Sequence, residues 1–208
     1  MSDFFNSEVK AFVGISKNSD SHNSDISTVP SSTASTNQYK FFPKIQNVTV
    51  QIEPESTLEL VVKWFLNKTA LSNKKIQKLC YYAYCWFIVF FNDLEAVEIA
   101  NTEIKVLSSE KFQAWIHGPV NPKLYHKYKK YGWNLIPKEE NAPRFEDQIE
   151  SLLNQVWNAY GTLSADELEA LSHQEYPWQN ARRGIPQSES CNNEINDYDI
   201  LKYYSSLR

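Results

Sequence analysis

After residue 56 the chain alternates between apolar positions at helical spacing and short polar breaks. Leu58, Val61, Val62, Phe65 and Leu66 share one face of a helix predicted over 58–68, with Thr57 as its N-cap. Ser72 is placed to cap a second helix over 73–91. Its inward stripe is Ile76, Leu79, Cys80, Ala83, Phe87 and Phe90. Pro122 and Gly132 bracket a short helix, the proline at its first position and the glycine just past its end. Ile149, Leu152, Leu153, Val156 and Trp157 predict a helix over 145–160 that stops at Gly161. Ser164-Ala-Asp-Glu167 is a capping box for a helix to about His173, broken before Pro177. A last helix, over 194–207, uses Ile195, Tyr198, Leu201 and Tyr204. Residues 103–107 and 111–115 are short, β-tolerant and separated by Ser-Ser-Glu, which predicts a small hairpin. The fold class expected is mainly α, a multi-helix domain with a small β-hairpin.

The first 56 residues read differently. Residues 16–38 hold eight Ser, three Thr and three Asn with no aromatic residue, too little apolar surface to offset chain entropy. They predict a flexible linker inside an N-terminal extension, 1–56, ahead of a packed domain over 57–208. Before the linker, Phe4, Phe5, Val9, Phe12 and Val13 suit a short amphipathic turn or two. After it, Ile45, Val48, Val50 and Ile52 suit either an added strand or an extended approach to the domain. All six Trp lie between Trp64 and Trp178, inside the packed part.

Charge and composition narrow the chemistry. A net charge of −4 and a pI near 5.6 argue against a surface that neutralises phosphates over its whole extent. The longest apolar-aromatic run, 79–91, is shorter than a membrane span and contains three Tyr, so it reads as a core helix. No secretion signal is read at the N-terminus. Cys80, Cys85 and Cys191 form no CxxC pair and read as small buried thiols, consistent with a cytoplasmic protein. Only five Gly occur, none in a phosphate-cradling arrangement, and neither HExxH nor GxSxG is present. His117, His126 and His173 lack metal-ligand spacing. His117 reads as a turn histidine bonded to backbone near Gly118; the competing role of general base has no visible nucleophile beside it. His173, near a helix C-terminus, reads as structural, and Asp166, Glu167 and Glu169 suit a first helical turn. No catalytic residue, cofactor site or metal site is expected. An enzyme built on His117, His173 and Glu175 is the weakest alternative.

Two features point to binding. Residues 120–138 carry Lys123, Lys127, Lys129, Lys130 and Lys138 without an acid, and the next twelve residues hold five acids and one Arg. Either these two faces pair with each other, or the first is a basic patch for an acidic protein or nucleic acid. Around the same turn lie Trp115, Tyr125, Tyr128, Tyr131 and Trp133, mostly core by residue type, with exposed members suited to interface anchoring. Lys74, Lys75 and Lys78 oppose the macrodipole at the start of the second helix, which predicts something acidic facing them. The helices over 58–68 and 73–91 are also spaced like a helix-turn-helix with Lys74, Lys75, Gln77 and Lys78 towards a groove, so a DNA-binding autorepressor is the alternative function.

Several blocks, in order, carry a family resemblance: Ile76-Gln-Lys-Leu-Cys-Tyr-Tyr-Ala83, Ala114-Trp-Ile-His-Gly-Pro-Val120, Pro122 with Tyr125, and Tyr131-Gly132. They continue with Val156-Trp-Asn-Ala-Tyr-Gly161, Leu171-Ser-His-Gln-Glu-Tyr-Pro-Trp178 and Ala181-Arg182. From about 57 to 207 the chain resembles the SocA-like antitoxin domain, or Panacea domain, of bacterial and phage toxin–antitoxin systems. It departs from the pattern in a longer stretch before Trp115 and in Cys80, where an aliphatic residue is common. The resemblance implies a non-enzymatic protein that neutralises a co-encoded protein toxin by direct contact, with hand-over to a protease proposed for some relatives. It also implies that appended segments such as 1–56 help select the toxin. Lys123, Lys127, Lys130 and Tyr128 are the expected toxin-binding residues. Trp115, Gly118, Pro119, Tyr125, Trp157 and Trp178 are the expected fold motif.

Overall fold

The structure is a computed structural model that describes residues 54–208. The predicted extension up to residue 53, with its linker, amphipathic turn and candidate strand, lies outside the described residues. Eight α-helices and one two-stranded sheet are found among the described residues: α1 (Pro54–Lys68), α2 (Asn73–Phe91), α3 (Leu94–Ala100), β1 (Gln113–Trp115), β2 (Gly118–Val120), α4 (Pro122–Tyr128), α5 (Asp147–Tyr160), α6 (Ala165–Gln174), α7 (Tyr176–Ala181) and α8 (Asp197–Ser205). A single 3₁₀ turn, Lys129–Tyr131, extends α4.

Helix α2 is the axis of the fold. Ser72 caps it as expected, its Oγ accepting the Lys75 amide at 3.2 Å. Helices α1, α4, α5, α6 and α8 and strand β2 all pack around it. Every residue from Ile76 to Trp86 is buried, so the one-sided stripe read from the sequence is overtaken. The helix has no polar face in this stretch, and Phe87 and Phe90 of the expected stripe are only partly covered. Aromatic rings fill much of the space. Tyr82 stacks on Tyr160 at 4.0 Å between ring centres, and Phe112 lies edge-on to Tyr81 at 5.5 Å. Cys80, Cys85 and Cys191 are free and buried, as expected of small apolar thiols.

Local signals set most helix ends. The capping box at the start of α6 is complete: Ser164 Oγ accepts the Glu167 amide at 3.1 Å, and Glu167 Oε2 accepts the Ser164 amide at 2.7 Å. Helix α5 ends where Gly161 was expected to stop it. Helix α1 starts three residues before the expected cap, which leaves Thr57 inside the helix and buried. Two short helices were not anticipated. Asp93 caps α3 through the Glu95 and Ala96 amides, and Pro177 sits in the first turn of α7 instead of merely ending α6. Helix α8 begins later than expected, at Asp197 under an Asn196 cap, with Ile200 rather than Tyr198 facing inward.

The hairpin is displaced from its predicted place. Residues 103–107 form no strand; Asn92 brackets Lys105 instead, accepting its amide at 2.7 Å and donating to its carbonyl at 2.8 Å. The observed strands pair Gln113 with Val120, Ala114 with Pro119 and Trp115 with Gly118, across a turn at Ile116 and His117. Both turn residues keep negative φ, and Gly118 takes φ +88° to bring the chain back. The other edge of β1 is covered as well. Ala114 donates to Asn193 O at 2.9 Å, and Ile195 donates to Phe112 O at 2.8 Å. Three-residue strands of this kind exist because neighbouring segments hold them, which no alternation pattern over 103–115 encodes.

Candidate functional site

Asn121 builds the start of the basic helix. Its Oδ1 accepts the Leu124 amide at 3.1 Å, its own amide donates to Gln77 Oε1 at 2.8 Å, and its Nδ2 donates to Lys111 O at 3.1 Å. Pro122 follows at the first helical position. Leu124 and Tyr128 point inward, and Tyr125 meets Trp115 edge-on at 5.0 Å. Of the four expected binding residues, Tyr128 is therefore a core residue, 7% exposed, whose burial pushes its phenol up to about 12. The three lysines do face solvent. Lys123 is paired with Glu110 at 2.6 Å and Lys127 with Glu59 at 2.5 Å. Pairing across the fold is thus observed, but with Glu59 and Glu110 and not with the acid run 139–150. Lys130 lies 5.4 Å from the Tyr131 ring centre.

Beyond α4 the chain forms a knuckle. The 3₁₀ turn closes with the Gly132 amide on Lys129 O at 3.0 Å, and the Asn134 amide reaches Tyr131 O at 2.9 Å. Ile136 then returns to the core and pairs with Leu71 through two backbone bonds, at 3.2 and 2.8 Å. Between those fixed ends, Trp133 is 101% exposed and Leu135 58% exposed. Large apolar side chains held in water by a backbone hydrogen-bonded at both ends are the least expected feature of this surface.

A second polar cluster lies under the hairpin turn, and the sequence reading missed it. Lys78 is 1% exposed and donates to Pro119 O at 3.0 Å. Burial drives its ammonium down to about 7, against the favourable field of Glu169. Gly118 closes the space above: a Cβ there would stand 2.7 Å from Ser172 Oγ and 2.8 Å from Lys78 Nζ. Nothing can therefore reach the amine from that side, and Lys78 serves the fold. Lys74 is held by Asp166 at 2.6 Å and by Glu169, which also receives His117 Nδ1 at 3.1 Å. The acid expected opposite Lys74 is thus Asp166 with Glu169, while Lys75 donates to Gly161 O at 2.7 Å. The readable signal for Lys78 was its place, with Gln77, between Ile76 and the apolar-aromatic run that begins at Leu79.

The histidines and buried acid have separate partners. His117 is bonded to a carboxylate and not to backbone near Gly118. His173 stacks on Trp178 at 4.1 Å and meets Gln187 Nε2 at 3.1 Å. Burial lowers its affinity for a proton. Glu175, 3% exposed, accepts from Tyr82 at 3.0 Å and Tyr204 at 2.7 Å, and burial raises its carboxyl to about 8. Trp178 donates to Trp115 O at 3.1 Å, and buried Arg182 donates to Ala114 O at 2.7 Å and Glu189 O at 2.6 Å. Trp178 and Arg182, the residue that caps the end of α7, thereby tie that helix to β1. Trp157 packs against Phe65 at 6.3 Å. Among the described residues no group of three His, Cys, Asp or Glu could hold a metal ion, and no helix is long and apolar enough to cross a membrane.

Residues 88–179 match the family model described as Antitoxin SocA-like, Panacea domain. The matched stretch runs from the end of α2 into α7 and includes the hairpin, the basic helix and the knuckle. The resemblance drawn from the sequence is upheld over that stretch. No curated protein and no solved structure matches the chain.

Proposed function

We propose that this protein is the antitoxin of a bacterial or phage toxin–antitoxin system and neutralises a co-encoded protein toxin by direct contact in the cytoplasm. The observation that carries this reading is the antitoxin family match over 88–179, the stretch that presents the basic helix. The protein acts by binding and transforms nothing. The solvent face of α4, with Lys123 and Lys127, and Lys130 in the 3₁₀ turn that follows it contribute to the contact, and the 1–56 extension helps select the toxin.

The DNA-binding alternative is set aside on the surroundings of α2. Gln77 and Lys78 are buried, Lys74 is held by two carboxylates and Lys75 by a carbonyl, so the side chains meant for a groove are engaged in the fold. The test is co-expression with the product of the adjacent open reading frame in a bacterial host. Growth arrest by that product alone, relieved by this chain, and a complex that co-purifies are the expected results. Absence of any complex rejects the antitoxin role. Toxin half-life in the same cells separates two routes: masking leaves it unchanged, and delivery to a protease shortens it.

A further inference from the structure

We infer that the knuckle Lys129–Leu135, and not the α4 face, is the principal anchor for the toxin, with Trp133 inserting into an apolar slot on an acidic surface of that protein. The inference rests on the antitoxin reading and names the contact within it.

Trp133 gives nothing to its own fold: its side chain is fully in water. The backbone that presents it is nonetheless fastened on both sides. Tyr128 is seated in the core on one side, Ile136 is paired with Leu71 on the other, and the turn is closed by two backbone bonds. A pre-positioned aromatic loses little freedom on docking, which is the arrangement expected of a binding hot spot. Leu135 adds a second exposed apolar group.

Charge identifies the occupant. No acid occurs from residue 111 to residue 138. Lys123 and Lys127 of the α4 face are already neutralised by Glu110 and Glu59, whereas Lys129 and Lys130 have no carboxylate within ion-pair distance among the described residues. The rim of the knuckle, with Lys138 just beyond it, is therefore the part of the basic run still open to an acidic partner. A second copy fits poorly, because a symmetric Trp133–Trp133 contact would crowd four lysines around the two-fold axis. Nucleic acid fits poorly too, since three unpaired lysines in the run, on a protein of net charge −4, give weak phosphate neutralisation.

The experiment titrates the full chain against the product of the adjacent open reading frame by calorimetry, at two salt concentrations, with circular dichroism as a folding control. W133A is expected to bind about 30-fold or more weakly, with unchanged helicity, while W133F retains most of the affinity. K129E/K130E is expected to weaken binding and to flatten its salt dependence. Y176A, at an exposed aromatic on α7, is the control and should bind like the parent. Parent binding with W133A and K129E/K130E within two-fold of it, roughly the margin for a rim position, overturns the inference and leaves the antitoxin reading standing. Failure of the parent to bind rejects both. Self-association or oligonucleotide binding that W133A abolishes, with toxin affinity unchanged, assigns the knuckle to another occupant and also overturns the inference.

Discussion

Gly118 and Gly132 separate two uses of one residue type. Both have positive φ, +88° and +55°, but a Cβ on Gly118 would collide with Ser172 and Lys78, whereas a Cβ on Gly132 would meet nothing within 4 Å. Gly118→Ala is expected to cost more than about 3 kcal/mol, since strain and overpacking add. Gly132→Ala should cost only the backbone strain, about 1–2 kcal/mol. Urea denaturation of the two variants checks the order. Two buried ionisable groups give opposite pH dependences. Glu175 titrates near 8 in the fold against an ordinary 4.5, so between those values the native state holds a proton that the unfolded chain has lost. Its contribution makes stability fall as pH rises through that window. Lys78 titrates near 7 against 10.5, so there the unfolded chain holds the extra proton and stability rises with pH. Glu175→Gln keeps partners for Tyr82 and Tyr204 but removes the first effect. Its stability relative to the parent should grow by on the order of 2 kcal/mol or more between pH 5 and 8, read from denaturation midpoints at each pH.

Capping at the element scale is both readable and testable. Ser164 caps α6 at an exposed end, so Ser164→Ala should cost about 1 kcal/mol. Asn121 caps α4 while also bonding Gln77 and Lys111 in a buried position. Asn121→Ala leaves those groups unsatisfied and should cost roughly 2–3 kcal/mol or more. Equal losses in thermal or urea unfolding would contradict this account. The same contrast explains which elements the sequence revealed. The Ser72 and Ser164 caps, Pro122 and the periodicity of α5 act within one turn of helix, so they were legible. The hairpin was legible as an element and through β1, but its second strand was misplaced, because β1 and β2 are three residues each and depend on 193–195 and α7 to hold them. Helices α3 and α7 escaped notice because each is under two turns and has no apolar period to show.

For the whole molecule, the distribution of charge matters more than its sum. The chain carries −4 overall, yet six lysines and no acid occupy residues 111–138. If that patch meets an acidic toxin, association should slow as salt rises, by roughly tenfold in rate between low and physiological ionic strength. Stopped-flow mixing measures it; a flat salt profile would remove charge from the account. Reversing Lys123, Lys127 and Lys130 together is expected to weaken binding while helical content stays constant. Because Lys123 and Lys127 face Glu110 and Glu59, the triple variant should also lose a little stability, about 1 kcal/mol for exposed pairs.

The amino-acid sequence alone determined the helix caps, the interior aromatic inventory, the reduced buried thiols and the family resemblance, because each depends on residue identity or on neighbours within a turn. Tertiary structure alone decided which faces meet. It enclosed α2 on every side and so turned Lys78 and Gln77 into interior groups. It buried Glu175 between Tyr82 and Tyr204, neutralised Lys123 and Lys127 with distant acids, and left Trp133 bare. Those outcomes depend on contacts between residues tens of positions apart, and helical periodicity does not specify the partner that covers a face.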